Sequence, residues 1–302
     1  TKVAFWSIVL VALTAMSTAT AAPKAAAEKR PLVVAVSDLY TLWDPHASWW
    51  SDDVDLATLM GEPLYQVDIT NPQYLMVPRL AADFPRWSDD GLSMLIDLRE
   101  GIMFHDGTPF NADAVVWNIE RIENLYDAGE CEWASGLLND TDASATGAFR
   151  IESVVATGEY QVNITLNEPF VPIINVMSYN GWTYLSPTWG ADFADDYVFT
   201  SDDGYVGTGP FVLAGVTADD MTFVSNEEYW RTPADIKEMV WVVNDDDTSR
   251  SEGLLAGDYD FGGILPSYYD QAEAAEEVFF AEGPLQFVQF WIGFNNFLYD
   301  VQ

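Results

Sequence analysis

A histidine beside a carboxylate can shuttle a proton or help hold a metal, and His105-Asp106 is such a pair. His46 is the only other histidine, so a His-rich metal site is not supported. Asp245-Asp246-Asp247 offers oxygen ligands for calcium, but it lacks the spaced ligands and distal Glu of an EF-hand loop and reads as a solvated turn. Gly207-Thr208-Gly209 has the glycines of a phosphate loop without the Lys-Ser/Thr that would follow them. Cys131 is the single cysteine. It has no neighbouring base and no CxxC partner, so it reads as a small buried residue rather than a nucleophile. It also leaves no disulfide framework within this span. No Gly-x-Ser-x-Gly elbow is present. With 48 acidic side chains, carboxylate pairs arise by chance and do not identify a glycosidase. The residues therefore assign no catalytic group, no metal ligand and no cofactor.

Charge narrows the partners. The 48 acidic and 12 basic side chains give a formal net charge of −36 over 302 residues. A phosphate backbone or an anionic lipid surface would be repelled, which argues against nucleic acid and against membrane docking. A composition that is 49% hydrophobic and 14% aromatic argues for a packed core beneath that charge. Only Lys2, Lys24, Lys29 and Lys237 are lysines. An acid-rich, Lys-poor surface fits a salty medium and fits ordinary solubility equally.

The N-terminus reads as an export signal. Lys2 precedes an apolar run from Val3 to Ala15, and Ser17 to Pro23 is a small-residue exit. The run is short for a membrane span, and an uncleaved N-terminal anchor is the other reading. A signal peptide over 1–22 and a linker over 23–30 are expected.

The elements behind these residues follow from period and punctuation. Leu32 to Val36 reads as a buried strand running into a loop closed by Asp44-Pro45. Asp53 to Tyr65 has helical spacing. Trp87 to Gly91 forms a turn before a strand that alternates Leu92, Met94, Ile96 and Leu98. Asn111 caps a helix with Val115, Ile119 and Ile122 on its apolar face. Phe149 to Val155 and Tyr160 to Leu166 predict a hairpin about Thr157-Gly158-Glu159. Further strands are expected at Phe211 to Leu213, Met221 to Ser225, Met239 to Val243 and Tyr259 to Gly263, with a short helix at Ser249 to Leu255. Phe287 to Phe294 is apolar and aromatic.

Taken in order, several segments resemble solute-binding protein family 5, the extracellular binders of dipeptides, oligopeptides and nickel that serve ABC importers. The segments are Leu42-Trp43-Asp44-Pro45, Glu62-Pro63-Leu64-Tyr65, Pro78-Arg79-Leu80-Ala81 and Trp87-Ser88-Asp89-Asp90-Gly91. Leu98-Arg99-Glu100-Gly101-Ile102-Met103-Phe104-His105-Asp106-Gly107 follows and is the most specific. Then come Asn111 to Val115, Gly207-Thr208-Gly209-Pro210-Phe211, Asn226-Glu227-Glu228-Tyr229-Trp230, Thr248-Ser249-Arg250, Gly257-Asp258-Tyr259-Asp260 and Gly293-Phe294-Asn295. Each has a structural explanation as well: the Asp-Gly positions are turns, and Trp87 and Trp230 fit a core.

The resemblance implies an α/β fold: a two-lobed clamp of the type II periplasmic-binding-protein class, here mainly lobe one. Its first part would be 31–52, an inserted subdomain 53–190, the return 191–294, and 295–302 the start of the crossover to lobe two. Solute would bind between the lobes and closure would present it to permease subunits in the membrane. Loops after strand ends should line that cleft. The resemblance places Tyr40, Leu42 and Trp43 there, with Asn180, Trp182, Gly207, Thr208, Gly263 and Ile264, and Gly262 beside them. It implies a monomer that binds a peptide or similar small solute, no nucleic acid and no cofactor, exported to the periplasm or cell surface. A nickel or metallophore binder of the same family, an exported hydrolase and a receptor-linked sensor are the alternatives.

Overall fold

The computed structural model describes residues 30–38, 43–47, 51–68, 71, 73, 75–131 and 150–275, with the backbone alone for 51–55. Two sheets organise the chain from Pro31 on. The first has β1 (Leu32–Val36), β8 (Phe211–Val216), β9 (Asp220–Ser225), β10 (Glu238–Val243) and β11 (Phe261–Gly262) in the order β11-β1-β10-β9-β8. β1 runs parallel to both neighbours, while β9 and β8 are antiparallel. Register puts Val34 beside Trp241 and Phe261, and Trp241 beside Met221. Side chains alternate along a strand, so Val34, Met221, Phe223 and Met239 share one face. They bury it against Leu56, Ala57 and Met60 of α1 (Ser51–Met60).

The second sheet is antiparallel, in the order β4-β5-β7-β6. It comprises β4 (Arg86–Trp87), β5 (Ser93–Asp97), β6 (Ile151–Gly158) and β7 (Gln161–Leu166). Met94 and Ile96, the alternating set of the sequence, are fully buried with Leu98 nearly so, and they meet Val162 and Ile164 of β7. Over this sheet lies α2 (Ala112–Ala128), burying Val115, Ile119, Ile122 and Leu125. Each such aliphatic side chain taken fully from water contributes roughly 1.5–3 kcal/mol. A short ribbon of β2 (Tyr65–Val67) and β3 (Met76–Pro78) borders it.

α2 begins where its sequence says it should. Asn111 is extended, and its Oδ1 accepts from the Ala114 N–H at 3.0 Å. Gly129 ends the helix at φ 82°, the left-handed cap that glycine takes without strain. Asn111→Ala is expected to lower stability by about 1 kcal/mol, read as a shift in denaturation midpoint at constant m-value. No shift would mean that the cap is redundant.

Several boundaries differ from the sequence reading: among them, β8 runs on to Val216, and the helix expected at Ser249 to Leu255 spans Asp247–Ala256. The helix expected from Asp53 to Tyr65 stops at Met60, and Tyr65 opens β2. A Cβ on Gly61 would stand 2.4 Å from the Tyr205 hydroxyl, so the chain turns at a bare backbone, and Pro63 offers no N–H to continue the helix. The hairpin turns one residue later than expected: β6 runs to Gly158, and Glu159-Tyr160 makes the link. The other helices are short: α3 (Ile173–Val176), α4 (Pro187–Gly190), α5 (Asp247–Ala256) and α6 (Tyr269–Ala274). Among the described residues, no helix is long and apolar enough to cross a membrane.

Candidate functional site

β1 and β11 lie side by side and parallel, so their C-terminal ends reach the same edge of the sheet. That edge is where open α/β sheets take ligands. A groove of 540 Å³ runs along β1 to that edge, lined by Leu32, Val34 and Met239 toward one end and by Ser37, Asp38 and Gly263 toward the other. Phe261 also borders it and is 68% exposed, far beyond what a large apolar ring shows in a closed core. Trp241 lines the groove too, and its indole N–H is buried with no hydrogen-bond partner among the described residues. The groove thus offers an apolar floor, the carboxylates of Asp38 and Asp260, the guanidinium of Arg250 and the bare backbone of two glycines. Such a surface can hold a solute; no nucleophile–base pair lines it.

The rim is fixed by short-range chemistry. The Asp260 N–H donates to the Val33 carbonyl at 2.7 Å, and the Val33 N–H returns a bond to Asp260 Oδ2 at 2.8 Å. β11 is thereby pinned to β1. A Cβ on Gly262 would stand 3.1 Å from the Ala35 carbonyl oxygen, so the strand approaches closely because the residue is glycine. Asp246 caps α5 by accepting from Ser249 N–H at 2.6 Å, so the acidic run is a helix start. Arg250 of α5 donates to the Asn244 carbonyl, and the Asn244 N–H donates to Val36 at 2.8 Å, which ties α5 to the end of β1.

Two buried polar networks, none of whose residues lines the groove, join the motifs. Glu62, with 3% of its side chain exposed, accepts from four donors. Oε1 takes Arg79 Nε and the Tyr229 hydroxyl, each at 2.6 Å. Oε2 takes Trp230 Nε1 at 2.6 Å and Thr208 Oγ1 at 3.1 Å. Burial, then the Glu62 charge, push the Tyr229 hydroxyl well above its ordinary range, so it stays a donor. Next to this network, the His105 N–H donates to Gly207 at 2.9 Å, and His105 Nε2 bonds the Gly209 carbonyl at 3.0 Å. Asp106 Oδ2 accepts from Ser186 Oγ at 2.6 Å. The His-Asp pair therefore anchors loops, with neither side chain in the groove.

The second network surrounds Asp44. Arg121 forks onto both carboxylate oxygens of Asp44, and Asp44 also accepts from the Phe199 and His46 N–H groups. His46 Nδ1 lies 2.8 Å from Arg121 Nη1. Arg has no acceptor, so this nitrogen accepts and Nε2 carries the proton, given to the Thr183 carbonyl at 3.0 Å. Burial, then the Arg121 charge, lower the His46 pKa to about 3, and burial lowers that of His105 as well. The unfolded chain takes up a proton near 6.5 that the fold refuses, so stability is full above that pH and falls as pH drops toward 3. Between pH 7 and 5 the loss from His46 should approach about 1.4 kcal/mol per pH unit, and His105 acts in the same direction. A denaturation midpoint flat over that interval would contradict this.

The expected site residues separate into groups. Gly263 lines the groove, and half-buried Ile264 follows it. Half-buried Asn180 opens a single 3-10 turn, Asn180–Trp182. Trp43 and Trp182 are 3% and 1% exposed, one in each core cluster, so in these residues the indoles pack. Gly207 and Thr208 are buried beside the end of α1: a Cβ on Gly207 would meet the Met60 carbonyl oxygen at 2.2 Å. Tyr40 and Leu42 lie outside the described residues, as does Phe287 to Phe294. The sequence reading quoted Glu62 within a motif without giving it a role, and it did not single out Arg121, Trp241 or Phe261. Among the described residues, no three His, Cys, Asp or Glu side chains cluster as metal ligands would.

Known proteins resemble this chain in sequence and in fold. Residues 76–296 match the family profile described as bacterial extracellular solute-binding proteins, family 5, middle. The glutathione-binding protein GsiB of Salmonella typhi is 28% identical over 266 residues, covering 87% of this chain and 47% of the relative. That of Shigella flexneri is 29% identical over 250 residues, covering 82% and 44%. The chain spans about half the length of the curated relatives it matches. An ABC transporter substrate-binding protein from Sinorhizobium meliloti superposes with a TM-score of 0.66 at 26% identity, covering 82% of this chain and 47% of that one. A dipeptide-binding protein from a Pseudoalteromonas species, solved with Met-Leu, gives 0.69 at 18% identity, covering 81% and 50%. Its likeness shows the fold, that of one lobe of a type II periplasmic binding protein. With the profile matched over most of its length, the chain belongs to the bacterial extracellular solute-binding proteins of family 5.

Proposed function

We propose that the full-length protein is the extracytoplasmic substrate-binding component of an ABC importer, taking up a small peptide or similar solute between two lobes and handing it to permease subunits. The observation that carries this is the family match over 76–296. The groove that runs to the parallel strand ends supports it, because it presents exposed Phe261 and the bare backbone of Gly262 and Gly263. Relatives named for glutathione and a neighbour solved with a dipeptide favour short peptides. On this reading Gly263, Ile264, Asn180, Tyr40 and Leu42 face the solute, while Trp43, Trp182, Gly207 and Thr208 hold the lobe behind them. No bond is made or broken, the protein acts as an exported monomer, and segment 1–22 directs export.

Thermal denaturation of the full-length mature protein against dipeptides, tripeptides including glutathione, sugars and metal chelates tests the reading. A cognate solute at about 100 times its dissociation constant should stabilise by roughly 2.7 kcal/mol. A flat response across the panel would count against an importer component.

A further inference from the structure

Arg79, Arg86, Arg121, Arg150, Lys237 and Arg250 each sit within ion-pair distance of a carboxylate. From Arg79 onward among the described residues, Arg99 and Arg231 are the cations that do not. In a chain with 48 acidic side chains, a cation left without a carboxylate calls for a reason. Both lie against the same ring: their guanidinium carbons are 5.5 and 5.8 Å from the Trp230 centroid, and that of Arg79 is 5.7 Å away. The ring is held from behind by its bond to Glu62. Arg99 Nε is spent on the Arg79 carbonyl at 2.7 Å, which fixes the guanidinium and leaves Nη1 and Nη2 without partners among the described residues. Arg99 and Trp230 line a depression of 460 Å³ together with Ala82, Leu98, Glu100 and Gly101. None of these residues lines the groove at the strand ends.

We propose that this depression is a second binding site, taking a small monocarboxylate with a flat or apolar body. The carboxylate sits in the free fork of Arg99, a geometry that guanidinium favours over any point charge. The body lies against Trp230 and the apolar parts of Ala82 and Leu98, and Arg231, exposed beside the Trp230 ring, adds charge. Glu100 lines the same depression and repels a second negative charge, so di- and trianions are disfavoured. At physiological ionic strength the chain's distant negative charges are screened over about 8 Å, while the fork acts at contact.

Calorimetric titration of the full-length protein with benzoate, benzyl alcohol and inorganic phosphate tests this. Benzoate should bind saturably, and benzyl alcohol, of the same shape without the charge, should not. Arg99→Gln should weaken benzoate about tenfold or more. Arg231→Gln should weaken it measurably; this exposed side chain makes no hydrogen bond among the described residues, so that variant keeps the test valid if Arg99→Gln misfolds. Absence of saturable benzoate binding, unchanged affinity in the variants, or phosphate binding as tightly as benzoate would each overturn the proposal.

Discussion

Glu62→Ala is expected to destabilise the protein by about 3–5 kcal/mol, the cost of leaving a buried charge without its partner. The substitution strands Arg79, whose side chain is 18% exposed, and removes the acceptor of Tyr229, Trp230 and Thr208 together. Those donors come from segments 146 to 168 residues away along the chain, so the loss is felt between elements rather than within one. Against a typical total of about 5–15 kcal/mol, roughly a fifth or more of the stability should go. Glu62→Gln should be nearly as harmful, because an amide turns a donor toward donors. Arg79→Met, which deletes one donor and leaves three in place, should cost less. Urea denaturation checks the order; a Glu62→Ala loss under about 1 kcal/mol would show that the network is incidental.

Arg121→Ala should cost a similar amount, about 3–5 kcal/mol, for a related reason. Asp44 has none of its side chain exposed and keeps only the Phe199 and His46 N–H bonds once the guanidinium is gone. His46 Nδ1 loses its donor and the Tyr197 carbonyl loses one of its own. The pH dependence should change as well. Arg121 is one cause of the lowered His46 pKa, while Asp44 acts the other way. Without Arg121 the imidazole can protonate beside Asp44, so the variant's stability should fall less steeply from pH 7 to 5 than that of the parent. An equally steep slope would mean that burial alone sets the histidine.

Local elements were legible in the sequence because their signals are local. Asn111, the Val115–Ile119–Ile122 stripe and Gly129 delimit α2 within one stretch of chain, and Met94, Ile96 and Leu98 show the pleat of β5 directly. The helix that ends at Met60 was read too long, because its stop depends on Tyr205, far away in sequence. The motifs identified the family, yet their shared purpose was not visible. Glu62-Pro63-Leu64-Tyr65, Pro78-Arg79, Gly207-Thr208-Gly209 and Tyr229-Trp230 converge on the Glu62 carboxylate, and the motif that contains it does not show that the other three supply its donors. Aromatic candidates are ambiguous by nature: Trp43 and Trp182 pack in cores, whereas Trp241 and Phe261, neither singled out beforehand, border the groove. Which face of a strand a ring takes depends on the register with its neighbours, and register is set by the assembled sheet.

Native mass spectrometry of the full-length mature protein, purified without refolding, tests the central claim most directly. The account predicts a co-purified mass of a short peptide or similar small solute, bound one to one and lost on collisional activation. A uniformly empty protein that also takes up no member of a peptide, sugar and chelate panel would contradict it.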